Sequence, residues 1–203
     1  MKRYLIALII SSLLIIGNPM FVKGYEGSNF SNITINEGLQ QSSISSIFQD
    51  DKGYIWFAAF GAVSRYDGSK FRHFETTGKD DGIANSYVTD IGQDVEGNIW
   101  IATVDGISKI DADTEKIINY DEDEGLECTF VNRITRINNE LIIFTKKGMY
   151  VYNSNEDRFD KIFINSQINN INISAITIDN DNNLWVANSK EIYKLDILNK
   201  TIS

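Results

Sequence analysis

The stretch DKGYIWFAAFGAVSRYDG, residues 51–68, decides the fold. A turn-like start runs into the apolar segment YIWFAAF, and a second turn-like pair closes it. The same phrase returns as VEGNIWIATVDGISKID (95–111) and as NDNNLWVANSKEIYKLD (180–196). Trp56 and Trp100 stand 44 residues apart, and Trp100 and Trp185 stand 85 apart, which is two such intervals. A fainter copy fills the gap: NNELIIFTKKGMYVYN (138–153) puts Ile142 where a tryptophan would stand. In the three tryptophan copies an aspartate lies six residues before the indole (Asp50, Asp94, Asp179) and another eleven after it (Asp67, Asp111, Asp196). A turn residue lies three before (Gly53, Gly97, Asn182). Between copies NEGL (36–39), DDGI (80–83) and DEGL (123–126) recur at nearly the same interval, while the fourth copy has INNI (168–171). The unit is therefore about 43 residues long and occurs four times.

Each unit reads as four strands. In the first copy SSIFQD alternates, YIWFAAF is continuously apolar as in a strand covered on both faces, AVSRYD alternates again, and FRHFE is a polar outer strand. β-Branched and aromatic residues fill these runs, and Gly, Asp and Asn punctuate them. The one proline lies at position 19, so no strand is interrupted. Four short strands in about 43 residues is the period of a β-propeller blade, which predicts an all-β chain of about four blades. Trp56, Trp100 and Trp185 are read as wedges packed between adjacent blades, because the third copy replaces the indole by an aliphatic side chain. The glycine or asparagine before each allows a positive φ in the turn. The aspartates are read as turn residues that accept backbone amides. DNDNN (179–183) has the alternating oxygen side chains of a calcium loop, but an EF-hand needs glycine sixth and glutamate twelfth, where Leu184 and Lys190 stand. No metal or cofactor is expected.

Composition narrows the functions. With 28 acidic against 19 basic side chains the formal charge is −9, and no basic stripe interrupts it, so nucleic acid is an unexpected partner. A single cysteine, Cys128, rules out an intrachain disulfide. A single histidine, His73, would have to serve any histidine-based catalysis, and it falls in a predicted outer strand. At the N-terminus Lys2 and Arg3 precede an uncharged apolar run, Leu5 to Ile16, then Asn18 and Pro19. Residues 1–24 thus have the build of a secretory signal peptide cleaved before Tyr25, with an uncleaved membrane anchor as the alternative. Residues 25–203 are then an exported β-propeller domain. FSNITI (30–35) aligns with the outer strands FRHFE and IINYD, and this predicts that the N-terminus supplies the fourth strand of the last blade.

The repeated motif resembles the two-component regulator propeller repeats of bacterial sensor proteins. It consists of aspartate, two residues, glycine, two residues, tryptophan, an apolar residue, a small one, a glycine turn and YD; it is complete at 50–67 and 94–111 and degenerate at 179–196 and 134–153. The resemblance implies an extracytoplasmic, non-catalytic sensory module of a signalling receptor, whose ligand is a small molecule or an oligosaccharide. In such families the propeller has about seven blades and precedes a β-sandwich, a membrane helix and a kinase, cyclase or DNA-binding output. Four repeats are expected to form an open arc, a fragment or the start of a longer sensor, whose partner is missing blades or a second copy. The membrane is expected to be met only through the N-terminus or a C-terminal span. Two other readings stay open: a propeller lyase similar to the streptogramin lyases, with His73 as base, and an exported scaffold or adhesin that binds protein or glycan.

Overall fold

A computed structural model describes residues 31–76, 82–162, 173–181, 183–196 and 201–202. The predicted signal segment, 1–24, and the link INNI at 168–171 lie outside the described residues. Among the described residues sixteen strands form four antiparallel sheets, each a simple meander. Sheet A holds β1 (Ile44–Gln49), β2 (Ile55–Ala59), β3 (Ala62–Tyr66) and β4 (Phe71–Glu75). Sheet B holds β5 (Val88–Gln93), β6 (Ile99–Thr103), β7 (Ile107–Ile110) and β8 (Ile117–Tyr120). Sheet C holds β9 (Val131–Ile137), β10 (Glu140–Thr145), β11 (Gly148–Asn153) and β12 (Arg158–Ile162). Sheet D holds β13 (Ala175–Ile178), β14 (Leu184–Ala187), β15 (Ile192–Asp196) and β16 (Thr201–Ile202). There is no α-helix among the described residues. The described residues are all-β and form four propeller blades.

Alternation within each second strand builds the joints between blades. In β2, Trp56 and Ala58 point toward sheet B and meet Ile91, Ile99, Ile101 and Ile110. In β6 the parity is the same: Ile99 and Ile101 face sheet A, while Trp100 and Ala102 face sheet C and pack with Leu141 and Ile143. In β10, Ile142 and Phe144 face sheet D and meet Leu184 and Val186. Three apolar cores therefore join four blades in series. The link residues Ile83 and Leu126 plug the outer side of the A–B and B–C joints. The innermost strands lie side by side, β1 on β5 and β5 on β9. Gly92 in β5 makes the second approach close: a Cβ there would come within 2.5 Å of Ile134 Cγ2.

The predicted N-terminal clasp is corrected by the structure. Residues Ile35–Glu37 form one turn of 3₁₀ helix, not an outer strand. Thr34 caps this turn: its hydroxyl accepts from Asn36 N at 3.1 Å, and its own N–H donates to Glu37 Oε2 at 2.7 Å. A capping box satisfies the local backbone and removes it from sheet pairing. The fourth strand of sheet D is instead β16, from the C-terminal side, where Thr201 pairs with Asp196.

Candidate functional site

The innermost strands converge on a groove of about 430 Å³, floored by β1, β5 and β9. A bulge recurs near the start of each of these strands. It turns one hydroxyl of each of the first two toward the next blade: Ser45 Oγ donates to Val88 O at 2.9 Å and Thr89 Oγ1 to Val131 O at 2.5 Å. Asp90 ties all three strands together, since its Oδ1 accepts from Ser46 Oγ at 2.8 Å and its Oδ2 from Ile134 N at 3.0 Å. At the end of the groove marked by the β1–β2 turn, Gln93 Oε1 accepts from Asp51 N at 3.0 Å. Arg136 reaches from the third blade to the second and first. Its Nη1 donates to Asp94 O at 3.0 Å and lies 3.3 Å from Asp51 Oδ2. Arg136 and Asp51 are both solvent-accessible. The groove thus offers carboxylate, amide, hydroxyl and guanidinium groups drawn from three blades. Such a set suits recognition of a polar, hydroxyl-rich ligand.

Each predicted repeat residue occupies a distinct place. Trp56 and Trp100 are buried in the A–B and B–C joints, whereas Trp185 stands on the outward face of sheet D and is 37% exposed. Gly53 and Gly97 adopt φ of 85° and 88° in the β1–β2 and β5–β6 turns; Asn182 lies outside the described residues. Asp67 and Asp111 Oδ1 accept amides of the following turn, from Lys70 and Thr114 at 2.7 and 2.8 Å. These bonds from Lys70 N, and for Asp111 from the Thr114 hydroxyl and N–H, hold both carboxyls below the usual aspartate range. Asp196 ends β15. His73 is exposed in β4, where its Nδ1 lies 2.9 Å from Ser64 Oγ, on an outer strand away from the groove.

Asp50, Asp94 and Asp179 do more than hold turns. Oδ1 of Asp50 accepts from Lys52 N and Tyr54 N, at 3.0 and 2.9 Å, while Oδ2 accepts from the Trp56 indole at 2.7 Å. The same indole bond measures 2.7 Å for Asp94–Trp100 and 2.8 Å for Asp179–Trp185. Opposite each tryptophan in register stands a cation nine residues later: Arg65, Lys109 and Lys194. Each lies over its indole ring, at 5.6, 5.5 and 5.6 Å. The cation then latches the next blade through an acid in its outer hairpin. Arg65 meets Glu115 at 2.8 Å and Lys109 meets Asp157 at 3.3 Å. Both acids have positive φ, 56° and 50°. Burial alone would push the Asp157 carboxyl up, but the hydroxyls of Tyr152 and Tyr120 and the Lys109 ammonium hold it below its ordinary value. The sequence carried one signal for this triad. In the third copy the three positions read Arg136, Ile142 and Val151, so acid, indole and cation are lost together.

Comparison with known proteins agrees with this architecture. The family model described as two component regulator propeller matches residues 38–61, 82–105 and 166–190. The chain is similar in structure to the extracellular domain of a hybrid two component system from B. thetaiotaomicron. That match has a TM-score of 0.53 and 17% identity, and covers 85% of this chain and 31% of that one. It is also similar to the virginiamycin B lyase of Staphylococcus aureus, with a TM-score of 0.63 and 16% identity over 82% of this chain and 56% of that one. A third likeness is to PorZ, a surface component of the type-IX secretion system of Porphyromonas gingivalis, with a TM-score of 0.52, 13% identity, and 75% and 20% coverage. The chain thus spans about a third of the first of these structures and about half of the second. No curated protein matches it. The repeats built around Trp56, Trp100 and Trp185 thus each fall within a match to the two component regulator propeller model.

Proposed function

We propose that residues 25–203 are an extracytoplasmic, non-catalytic sensory module that binds a polar ligand, an oligosaccharide or a comparable hydroxyl-rich molecule, on behalf of a bacterial signalling receptor. The observation that carries this reading is the groove of a regulator-type propeller whose polar groups come from three blades at once. A ligand held by Asp51, Gln93 and Arg136 would bridge sheets A, B and C, and so couple occupancy to the angle between blades. In this reading residues 1–24 are the export signal, a role checked by sequencing the N-terminus of the exported protein for a start at Tyr25.

The test is a thermal-shift screen of the chain against oligosaccharides, repeated with Arg136→Ala and Asp51→Ala. A shift by one sugar class that both variants lose by about tenfold or more in affinity supports the groove. The other end of the blades carries an exposed edge-to-face ring pair, Phe60 and Tyr87, with centroids 4.5 Å apart. A shift lost in Tyr87→Ala and kept in Arg136→Ala would move the site there and sink the groove assignment.

A lyase reading draws on the fold likeness to virginiamycin B lyase. It requires His73 as base, and His73 sits on outer strand β4 beside Ser64. Streptogramin-cleaving activity that disappears in His73→Ala would establish it.

A further inference from the structure

At the end of the blades opposite the β1–β2 turn, the β2–β3, β6–β7 and β10–β11 hairpins each turn on two residues: Phe60–Gly61, Val104–Asp105 and Lys146–Lys147. The last two tips are built alike. Thr103 and Thr145 hydroxyls donate to Gly106 O and Gly148 O at 2.7 and 3.1 Å, and each accepts the amide of the second tip residue at 3.1 Å. Val104 and Lys146 are therefore equivalent, and so are Asp105 and Lys147. Beside the tips run the links into the next blade, which place Tyr87 just before β5 and Phe130 just before β9. Gly61 N donates to Ser86 O and Gly106 N to Thr129 O, both at 2.8 Å, so each link is fixed to the hairpin of the blade before it.

The two rings meet different neighbours. Phe130 is half-buried and carries the ammonium of Lys146, from its own blade's tip, 4.0 Å from the ring centroid. Tyr87 has Val104 at the lysine's position and a second ring beside it instead. Phe60 stands edge-to-face with Tyr87, the planes 69° apart, so the two rings form a corner. They are 53% and 57% exposed. Both blades of this joint are present, so the exposure is not that of a missing neighbour.

We infer that this corner binds a small organic ammonium, in the place over Tyr87 that Lys146 takes over Phe130. The inference stands apart from the groove. Ring faces attract ammonium groups through their quadrupole, and the chain uses that attraction where Arg65, Lys109 and Lys194 lie over their indoles. Charge agrees with a cationic occupant. Where the third tip continues with Lys147, the second continues with Asp105, next to Val104, whose N–H donates to Tyr87 O at 3.0 Å. Asp105 is exposed, and its carboxylate takes no hydrogen bond or ion pair among the described residues. It supplies the counter-charge, and a chain of formal charge −9 draws cations toward it.

The experiment titrates choline and butylamine against the full 203-residue chain in nonionic detergent at low salt, with binding read by nuclear magnetic resonance saturation transfer. Neohexyl alcohol, in which carbon replaces the ammonium nitrogen of choline, is the uncharged control. Saturable binding of either cation in the millimolar range, at least about fivefold tighter than of the alcohol, is expected. Tyr87→Ala should weaken it by about fivefold or more. Asp105→Asn should weaken it by about twofold and flatten its dependence on salt. Val104→Lys gives the second tip the lysine of the third; its own ammonium should occupy the corner and abolish binding. Circular dichroism matching the wild type confirms that the variants fold. A chain that binds neither cation, or that binds the alcohol as tightly, overturns the inference. Binding that survives unchanged in Tyr87→Ala or Val104→Lys overturns it as well.

Discussion

Asp94 shows what a single residue contributes here. Its two carboxylate oxygens accept four bonds: from Glu96 N and Asn98 N at 3.0 and 2.9 Å, and from Asn98 Nδ2 and the Trp100 indole at 2.9 and 2.7 Å. Removing it strands buried donors, so Asp94→Ala should cost about 2–4 kcal/mol in urea unfolding. Trp100→Phe in the same background should then cost less than it does alone, since the indole N–H has already lost its partner. Asp179 makes the equivalent bonds at an exposed site. The Trp185 indole first, then the Asn183 amides, hold its carboxyl at about 2 against an ordinary 3.8. A depressed folded-state pKa means that the contact is intact above the ordinary value and lost as pH falls through the lowered one. Trp185 fluorescence should therefore stay constant on acidification through pH 3.8 and change with a midpoint near pH 2. A midpoint near 3.8 would show that the indole bond does not form. The aspartates were legible in the sequence as turn residues because Asx turns leave a local signature. Their indole partner was not, because a spacing of six across a hairpin does not say which atoms meet. The joint loss of acid, indole and cation around Ile142 was the one clue.

At the scale of the strand, periodicity was enough. Alternating and continuous apolar runs located the strands of the first blade, and the propeller reading followed from their repetition. The N-terminal segment misled for a physical reason. Its apolar spacing imitates an outer strand, but the Thr34–Glu37 capping box commits the same backbone to a turn. The inner strands were legible as strands and not as a site, because Ser46, Asp90, Gln93 and Arg136 lie in different repeats and become neighbours only when blades pack. That packing sets a further test. Gly92 stands where a Cβ would meet Ile134 Cγ2 at 2.5 Å, so Gly92→Ala should push β5 from β9 and cost about 1–3 kcal/mol. Ile134→Ala removes the obstructing atom. The double variant should be more stable than the sum of the two losses predicts, by about 1 kcal/mol, measured as a double-mutant cycle. Simple additivity would mean that the two strands are not held by that contact.

Across the whole molecule the repeat count was legible, and with it the number of joints. The consequence for stability comes from how blades share cores. Among the described residues sheets B and C are covered on both faces, while A and D are each covered on one. A chain in which each unit touches only its neighbours has a stability that is a sum of unit and joint terms, and its ends open before its middle. Between the two ends the difference is also graded. Sheet A is stitched to B by Ser45 and Ser46 and by the Arg65–Glu115 latch. Sheet D meets C through Ile142, where acid, indole and cation are all missing, so its joint rests on apolar packing among residues such as Phe144, Leu184 and Val186. Amide hydrogen exchange should therefore be slowest in β6 and β10, intermediate in β2, and fastest in β14. Trp185 emission should respond to urea before the far-ultraviolet circular dichroism does. Strengthening the C–D joint is the sharper half of this prediction. Ile142→Trp with Arg136→Asp and Val151→Lys restores the repeat's triad, and it should bring the Trp185 transition toward the main one. If β14 already exchanges as slowly as β6, or if the restored triad leaves the early transition where it was, then the triad is not what binds one blade to the next.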